Sequence, residues 1–314
     1  MKQLSIIVPV YNGEIHIRGL LEELMQQMTE ETELLMIDDG STDQTCAICR
    51  EYEEKDSNIT VYSQKNQGPG AARNCGIRHA AGEYLVFLDA DDAITDDYVK
   101  TVLELIEKKE AWYELQWQIG SKEQGYKRMS GGFSEGRLAI EDYFPYFARQ
   151  KTNIVWNKIY KHSILMEHDI LFPEDIRRGE DLLFNLCYLL KVDGIYMSEK
   201  DIYRYTLNPE GICGAVRLDY FEDERKVYDC FQAIPKAEKY SEEIESALIR
   251  NVVRTIGECM QAGMERRKIT EAMEAAGFFQ LIASKSYVAA QDRFRKWLIQ
   301  KKAYGLIRIL VKKR

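Results

Sequence analysis

Three carboxylates within four residues follow directly on an apolar run: Tyr84-Leu-Val-Phe-Leu88 continues into Asp89-Ala-Asp-Asp92. Leu85 to Leu88 lacks polar alternation, the pattern of a central parallel strand covered on both faces. The carboxyl end of such a strand is the edge at which open α/β sheets bind ligands. Like charges this close repel unless a cation joins them, and hard carboxylate oxygens suit Mg²⁺ or Mn²⁺ with a phosphate completing the shell. The competing reading is an acidic turn whose Asp caps the next helix. Two other apolar runs end in polar groups: Leu4 to Val10 leads into Tyr11-Asn12, and Leu34 to Ile37 into Asp38-Asp39. A single Asp at a strand end is usually a turn former. Carboxylates recurring at one sheet edge instead describe a cleft that can hold a metal diphosphate and hydrogen-bond a nucleobase or ribose.

The elements that must position these groups alternate along the first third of the chain. Between the strands, Ile17, Leu20, Leu21, Leu24 and Met25 form a helical stripe. Ser41 with Gln44 fits a capping box opening a helix to about Lys55. Ile59 to Tyr62 is a third strand, followed by the glycine-rich Gln67-Gly-Pro-Gly-Ala71 and a helix to about Ala81. Thr95, Asp96 and Asp97 open another helix. This β-α repetition predicts a parallel sheet with right-handed crossovers. Further on, Trp112 to Ile119 is a strand candidate, and Ser121 to Gly136 reads as polar loop. Short strands are expected over Ile154 to Tyr160, Ile195 to Met197 and Ile202 to Thr206. Gly179 to Leu190 is helical, with Glu180 and Asp181 in its first turn, and from Arg217 onward the pattern is helical almost throughout.

Composition bounds the class. At 314 residues, 45% apolar and 30% charged, the chain can bury a full core. A net charge of −8 argues against general nucleic-acid binding. Seven cysteines, an odd number, point to free thiols in a reducing compartment. Cys46 and Cys49 form a CxxC, but no second pair follows, so they read as a helix face rather than a zinc or redox site. A strand starts at once after Met1, leaving no room for a targeting segment, and no apolar run reaches bilayer length. The expected location is cytoplasmic.

Four motifs together resemble the signatures of family-two glycosyltransferases: Ile6-Ile-Val-Pro-Val-Tyr-Asn12, Ile37-Asp-Asp-Gly-Ser-Thr-Asp43, Asn66 to Asn74 and Phe87-Leu-Asp-Ala-Asp-Asp92. The resemblance runs to about residue 108 and resumes at Trp156-Asn-Lys-Ile-Tyr160 and Gly179-Glu-Asp-Leu-Leu-Phe184. It implies a GT-A-like α/β fold: a Rossmann-like, mainly parallel sheet flanked by helices, with a helical C-terminal region. Residues 1–215 would hold the nucleotide-sugar and acceptor sites, and 216–314 the helices. By the same resemblance, Asp39 accepts a hydrogen bond from uracil or another base, while Pro9, Tyr11 and Asn12 shape that pocket. Arg73 braces the nucleotide, Asp89 contacts ribose or a metal-bound water, and Asp91 ligates Mn²⁺ or Mg²⁺. Asp181 matches the family's catalytic base, beside Glu180. The implied reaction moves a sugar, UDP-sugars being favoured, to a hydroxyl of a saccharide or lipid-linked acceptor with inversion, in surface polysaccharide synthesis. The alternative is a non-catalytic relative that binds nucleotide-sugar or anchors an assembly. Two departures stand out: Tyr203-Arg204 is followed by Gly211-Ile212 where the family often has Ser, and Ala111 to Glu135 matches no family element.

Three other stretches carry signals of their own. Gly68-Pro-Gly-Ala-Ala-Arg73 follows the third strand and lacks a dinucleotide fingerprint's final glycine. The aspartates after a buried strand also evoke haloacid-dehalogenase-type phosphatases, whose acidic motif belongs on the first strand. Between Gln291 and Arg314, nine Lys and Arg residues stand against one acid, Asp292, with Phe294, Trp297, Leu306, Ile309 and Leu310 interleaved. That stretch reads either as a membrane-surface anchor or as a closing helix packed on its own domain.

Overall fold

The computed structural model describes residues 2–129, 133–148, 153–207, 216–235, 237–286 and 289–311. The chain divides into two compact units. One takes Met1–Tyr143, Asn153–Asp175 and Glu180–Asn208; the other takes Phe144–Thr152, Ile176–Gly179 and Pro209–Arg314.

The first unit begins with β1 (Leu4–Val10), α1 (Ile17–Met25), β2 (Thr32–Asp38), α2 (Thr45–Glu53), β3 (Ile59–Ser63), α3 (Pro69–His79) and β4 (Tyr84–Phe87). It continues through β5 (Ala93–Ile94), α4 (Tyr98–Ile106), β6 (Trp112–Ser121), β7 (Gly125–Met129), β8 (Gly136–Ala139) and α5 (Ile140–Ala148), which runs into the second unit. β9 (Lys158–Lys161), α6 (His162–Glu167), α7 (Glu180–Leu189) and β10 (Gly194–Thr206) complete it. The sheet order is β3-β2-β1-β4-β9-β6-β10-β5, with β7 on β6 and β8 on β10. β1 to β4 pair in parallel, as do β6 and β10, whereas β9 is antiparallel to both its neighbours.

Side-chain alternation along β1 divides the core. Leu4, Ile6 and Val8 join a cluster with Leu20 and Leu24 of α1, Cys49 of α2 and Val99 and Val102 of α4. Ile7 points the other way and receives α3 at Gly76, where an added Cβ would lie 2.4 Å from Ile7 Cγ2. The last ladder contact of β1 toward β4 is Leu88 N–H to Ile7 O. Pro9 has no N–H to carry that ladder further, so the two strands part at their carboxyl ends.

Several local expectations need correcting. Ser41 caps nothing, because its hydroxyl accepts the Asn12 N–H at 3.0 Å and α2 starts at Thr45. The stretch read as loop after Ser121 contains β7, whose mostly exposed residues give it no apolar signature. The two short strands at 195–197 and 202–206 are one, β10, with a register shift between Ser198 and Tyr203.

The second unit holds α8 (Tyr220–Gln232), a 3₁₀ turn (Ala237–Tyr240), α9 (Ser241–Gln261), α10 (Arg266–Ala275), α11 (Phe278–Ser284), α12 (Ala290–Gln300) and α13 (Tyr304–Leu310). Phe144 and Phe147 of α5 pack on Phe231, and Phe144 also on Tyr240. Buried Glu224 is surrounded by Arg178, Arg254 and Asn251. In the tail, Leu298, Ile299, Tyr304 and Ile307 are buried, while Phe294, Trp297, Leu306, Ile309 and Leu310 are exposed. Among the described residues, no helix is long and apolar enough to cross a membrane. Gly211-Ile212, Cys213 and residues 312–314 lie outside the described residues.

Candidate active site

From β1 the chain moves outward to β2 and β3, then returns to β4 on the other side of β1. The strand order therefore reverses between β1 and β4, and in open α/β sheets ligands bind at that switch point. Every polar strand end singled out in the sequence lies beside it.

Asp39 follows β2 and is buried. Its Oδ1 accepts hydrogen bonds from Gln64 Nε2 at 2.8 Å and Gln67 N at 3.0 Å, and its Oδ2 from Gly68 N at 2.7 Å. The carboxylate thus holds the loop that opens α3, and with about four acceptor positions it keeps room for a further donor. After β1, on the same side of the switch point, Asn12 adopts a left-handed φ of 49° and accepts Thr42 N–H at 2.8 Å through Oδ1. Tyr11 beside it is 42% exposed, whereas Pro9 is buried within β1.

α3 delivers Arg73, and its guanidinium is the hub of the site. Nη2 donates to Asp89 Oδ1 at 2.8 Å and Nη1 to Asp181 Oδ1 at 3.2 Å, with the arginine side chain only 6% exposed. It lies against the Phe172 ring, which stacks on Phe184 at 3.9 Å. The neighbouring Asn74, also buried, fixes that wall by donating to Phe172 O and accepting from Phe172 N. Arg73 Nε is buried with no hydrogen-bond partner among the described residues.

Three side chains from three elements, α3, the turn after β4 and the first turn of α7, therefore meet. Asp181 is lifted by burial to about 6; Arg73 opposes the rise, Asp89 adds to it and Lys158 opposes it. Its place at a helix N-terminus pointed the other way, since that end favours the anion. For Arg73, burial works against the charge, but Asp181, then Asp89 and Glu180, hold its pKa above the ordinary value. Burial likewise depresses Lys158, a fully enclosed amine 3.4 Å from Glu114.

The carboxylates after β4 take different parts. Asp89 and Asp91 are partly exposed, and Asp92 is buried. Asp92 accepts from the Tyr203 hydroxyl and from Thr206 N–H at 2.7 Å, tying the acidic turn to β10. Burial, with Asp89 and Asp91 nearby, pushes its carboxyl up to about 8. Tyr203 oxygen also accepts Asp89 N–H at 3.3 Å, and its ring stacks on Trp156 at 4.3 Å. Asp92 thus ties the turn to β10 rather than capping the next helix, whose N-cap is Asp97. Sequence reasoning gave no role to Gln64 or Phe172 and none to Tyr203 as the partner of Asp92; these contacts reach across 25 to 111 residues, and no local pattern announces them.

Cys49 is buried in α2 and burial raises its thiol to about 12, while Cys46 meets the Ser63 hydroxyl at 3.5 Å. Of the pair expected on a buried helix face, Cys49 lies there, whereas Cys46 is partly exposed. Among the described residues no three His, Cys, Asp or Glu side chains converge as a ready-made metal cluster.

Residues 5–168 match the family model described as glycosyl transferase family 2. EpsH of Bacillus subtilis (strain 168), provisionally named a glycosyltransferase, is 27% identical over 320 residues, covering 97% of this chain and 92% of EpsH. Glycosyltransferase GlyA of Streptococcus pneumoniae serotype 4 is 39% identical over 226 residues, which is 65% of this chain but 30% of GlyA. The crystal structure of Staphylococcus aureus TarS 1–349 in complex with UDP-GlcNAc superposes with a TM-score of 0.76 at 25% identity, covering 98% of this chain and 90% of that one. With the family model spanning more than half of its length, and with a strand-reversal site built of Arg73, Asp89 and Asp181, the chain belongs to glycosyl transferase family 2 and is a glycosyltransferase of GT-A fold.

Proposed function

We propose that the protein transfers a sugar from a nucleotide-diphospho-sugar, with UDP-sugars favoured, to a hydroxyl of a saccharide or lipid-linked acceptor by a single inverting displacement. The observation that carries this reading is the pairing of Asp181 and Asp89 on one buried guanidinium. An inverting transfer needs a base on the acceptor side and neutralised charge on the donor side. Asp181, with a carboxyl near 6, is ionised at neutral pH yet basic enough to take the proton from an attacking hydroxyl. Asp39, Pro9, Tyr11 and Asn12 form the nucleotide end, and Asp89 with Arg73 orients the ribose and diphosphate. The UDP-GlcNAc complex of TarS, a poly(ribitol-phosphate) β-N-acetylglucosaminyltransferase, supports a UDP-sugar and a surface-polymer setting.

The donor set fits a divalent cation. Asp91, with Asp89 beside it, offers hard carboxylate oxygens in a partly open turn, suited to Mg²⁺ or Mn²⁺, while the sparse protein set leaves positions for phosphate oxygens. A mannosyltransferase of the same fold, PcManGT from Pyrobaculum calidifontis, was solved with GDP-Man and Mn²⁺ at a TM-score of 0.56. When bound, such an ion neutralises the leaving diphosphate. Asp91 would hold it, and Asp92 would keep the turn in shape.

A thermal-shift screen of nucleotide-sugars with and without Mn²⁺ tests the donor side, because a ligand of the native state raises the melting temperature. The expected result is a shift with one UDP-sugar that grows with Mn²⁺ and is lost with EDTA. Stabilisation by donor without any turnover, in wild type and Asp181→Asn alike, would favour the nucleotide-sugar-binding alternative.

A further inference from the structure

We propose that the outer face of α12 and α13 is a docking surface for an anionic lipid bilayer. Among the described residues, five of the eleven exposed large hydrophobic side chains belong to these two short helices: Phe294, Trp297, Leu306, Ile309 and Leu310. They are not loose ends of an unpacked tail. Leu298, Ile299, Tyr304 and Ile307, on the alternate positions, are at most 1% exposed and fasten both helices within their unit. The outward side chains are therefore presented on a fixed platform. Phe294 and Trp297 stack on each other at 5.9 Å with an interplanar angle of 13°, rather than folding back onto the core. Trp in such a position suits the headgroup level of a bilayer.

Charge selects the partner. The chain carries a net −8, yet its last 24 residues hold nine cations and one acid. That acid, Asp292, is fully buried and accepts from Arg250 at 2.7 Å and Arg295 at 2.5 Å, so it contributes no negative charge to the surface. Arg293, Lys301 and Arg308 are exposed with no acidic partner among the described residues. Cations interleaved with aliphatic and aromatic groups on helices too short to span fit a helix lying in the plane of an anionic membrane. Nucleic acid has no use for Leu306, Ile309 and Leu310. Self-association through this face would set like charges opposite each other, as a two-fold contact requires.

The test is co-sedimentation of the full chain with vesicles of phosphatidylglycerol and phosphatidylcholine against vesicles of phosphatidylcholine alone, at low and at physiological salt. Binding to the anionic vesicles only, weakening with salt, is expected, with Trp297 becoming shielded from an aqueous fluorescence quencher. F294S/W297S/I309S should partition at least about tenfold more weakly with an unchanged melting temperature, and so should R293E/K301E/R308E. The second set of substitutions keeps the test decisive if the first impairs folding. No binding by the wild type, equal binding to both vesicle types, or undiminished binding by both variants would overturn the proposal. So would a concentration-dependent dimer abolished by F294S/W297S/I309S in a protein that ignores vesicles.

Discussion

At the scale of single residues, the site is organised by one shared cation. Arg73 keeps Asp181 below the value that burial alone would impose, while Asp89 pushes the other way. Two expectations of opposite sign follow. Turnover by the wild type should show an acidic limb near pH 6, rate falling as pH drops, because the protonated Asp181 cannot accept the acceptor's proton. In the residual activity of Arg73→Met that limb should move to higher pH, and in that of Asp89→Asn to lower pH; pH profiles of kcat read both. Asp181→Asn should lose about 10²–10⁴-fold in kcat while donor binding, followed by titration calorimetry, stays near wild type. Tyr203→Phe removes the donor to Asp92 and the acceptor of Asp89 N–H but leaves the stack on Trp156. Weaker donor binding with little change in pH profile is the expected signature. The placement of Asp39, Asp89 and Asp91 after strands and of Asp181 in a helix's first turn was legible in the sequence, because apolar runs and a helical stripe adjoin them. The bridge between two of them was not, since Arg73 lies 16 residues from Asp89 and 108 from Asp181.

At the scale of elements, the sequence was most readable where periodicity is strong. β1 to β4 and the helices between them are buried runs and stripes, and their apolar spacing is what places them. It was least readable where a strand has no apolar face, as in β7, or where a charged stretch interrupts one, as Glu199 and Lys200 do in β10. The capping box failed because Ser41 found a better partner across the sheet edge than its own helix. Packing between α3 and β1 depends on the absence of a side chain at Gly76. Gly76→Ala would press a methyl to 2.4 Å from Ile7 Cγ2, and overpacking of this kind costs about 1–3 kcal/mol. A lower melting temperature is expected, with reduced activity if α3 shifts Arg73. Asn74→Ala would leave the buried Phe172 N–H and C=O without their partner, at a cost of about 1–3 kcal/mol, measurable by denaturant titration.

At the scale of the whole molecule, composition announced an acidic protein with a basic end, and the structure shows how the two coexist: the tail's one acid is enclosed, while Arg293, Lys301, Lys302 and Arg308 are exposed. Nothing in the composition of 144–152 or 176–179 marks them as partners of the C-terminal helices, because Phe144, Phe147 and Ile176 look like any core residues of the preceding domain. By this division the chain passes between the two units five times, at 143/144, 152/153, 175/176, 179/180 and 208/209. That weaving has a consequence for recombination. A protein cut at residue 208 would keep Phe144 and Phe147 but lose Phe231 and Tyr240, the rings that receive them. Such a fragment should scatter light as aggregates, and replacing the two phenylalanines by serine should restore solubility. Chimaeras that exchange donor specificity between relatives must therefore be spliced at all five crossings, since this enzyme is not built of cassettes laid end to end.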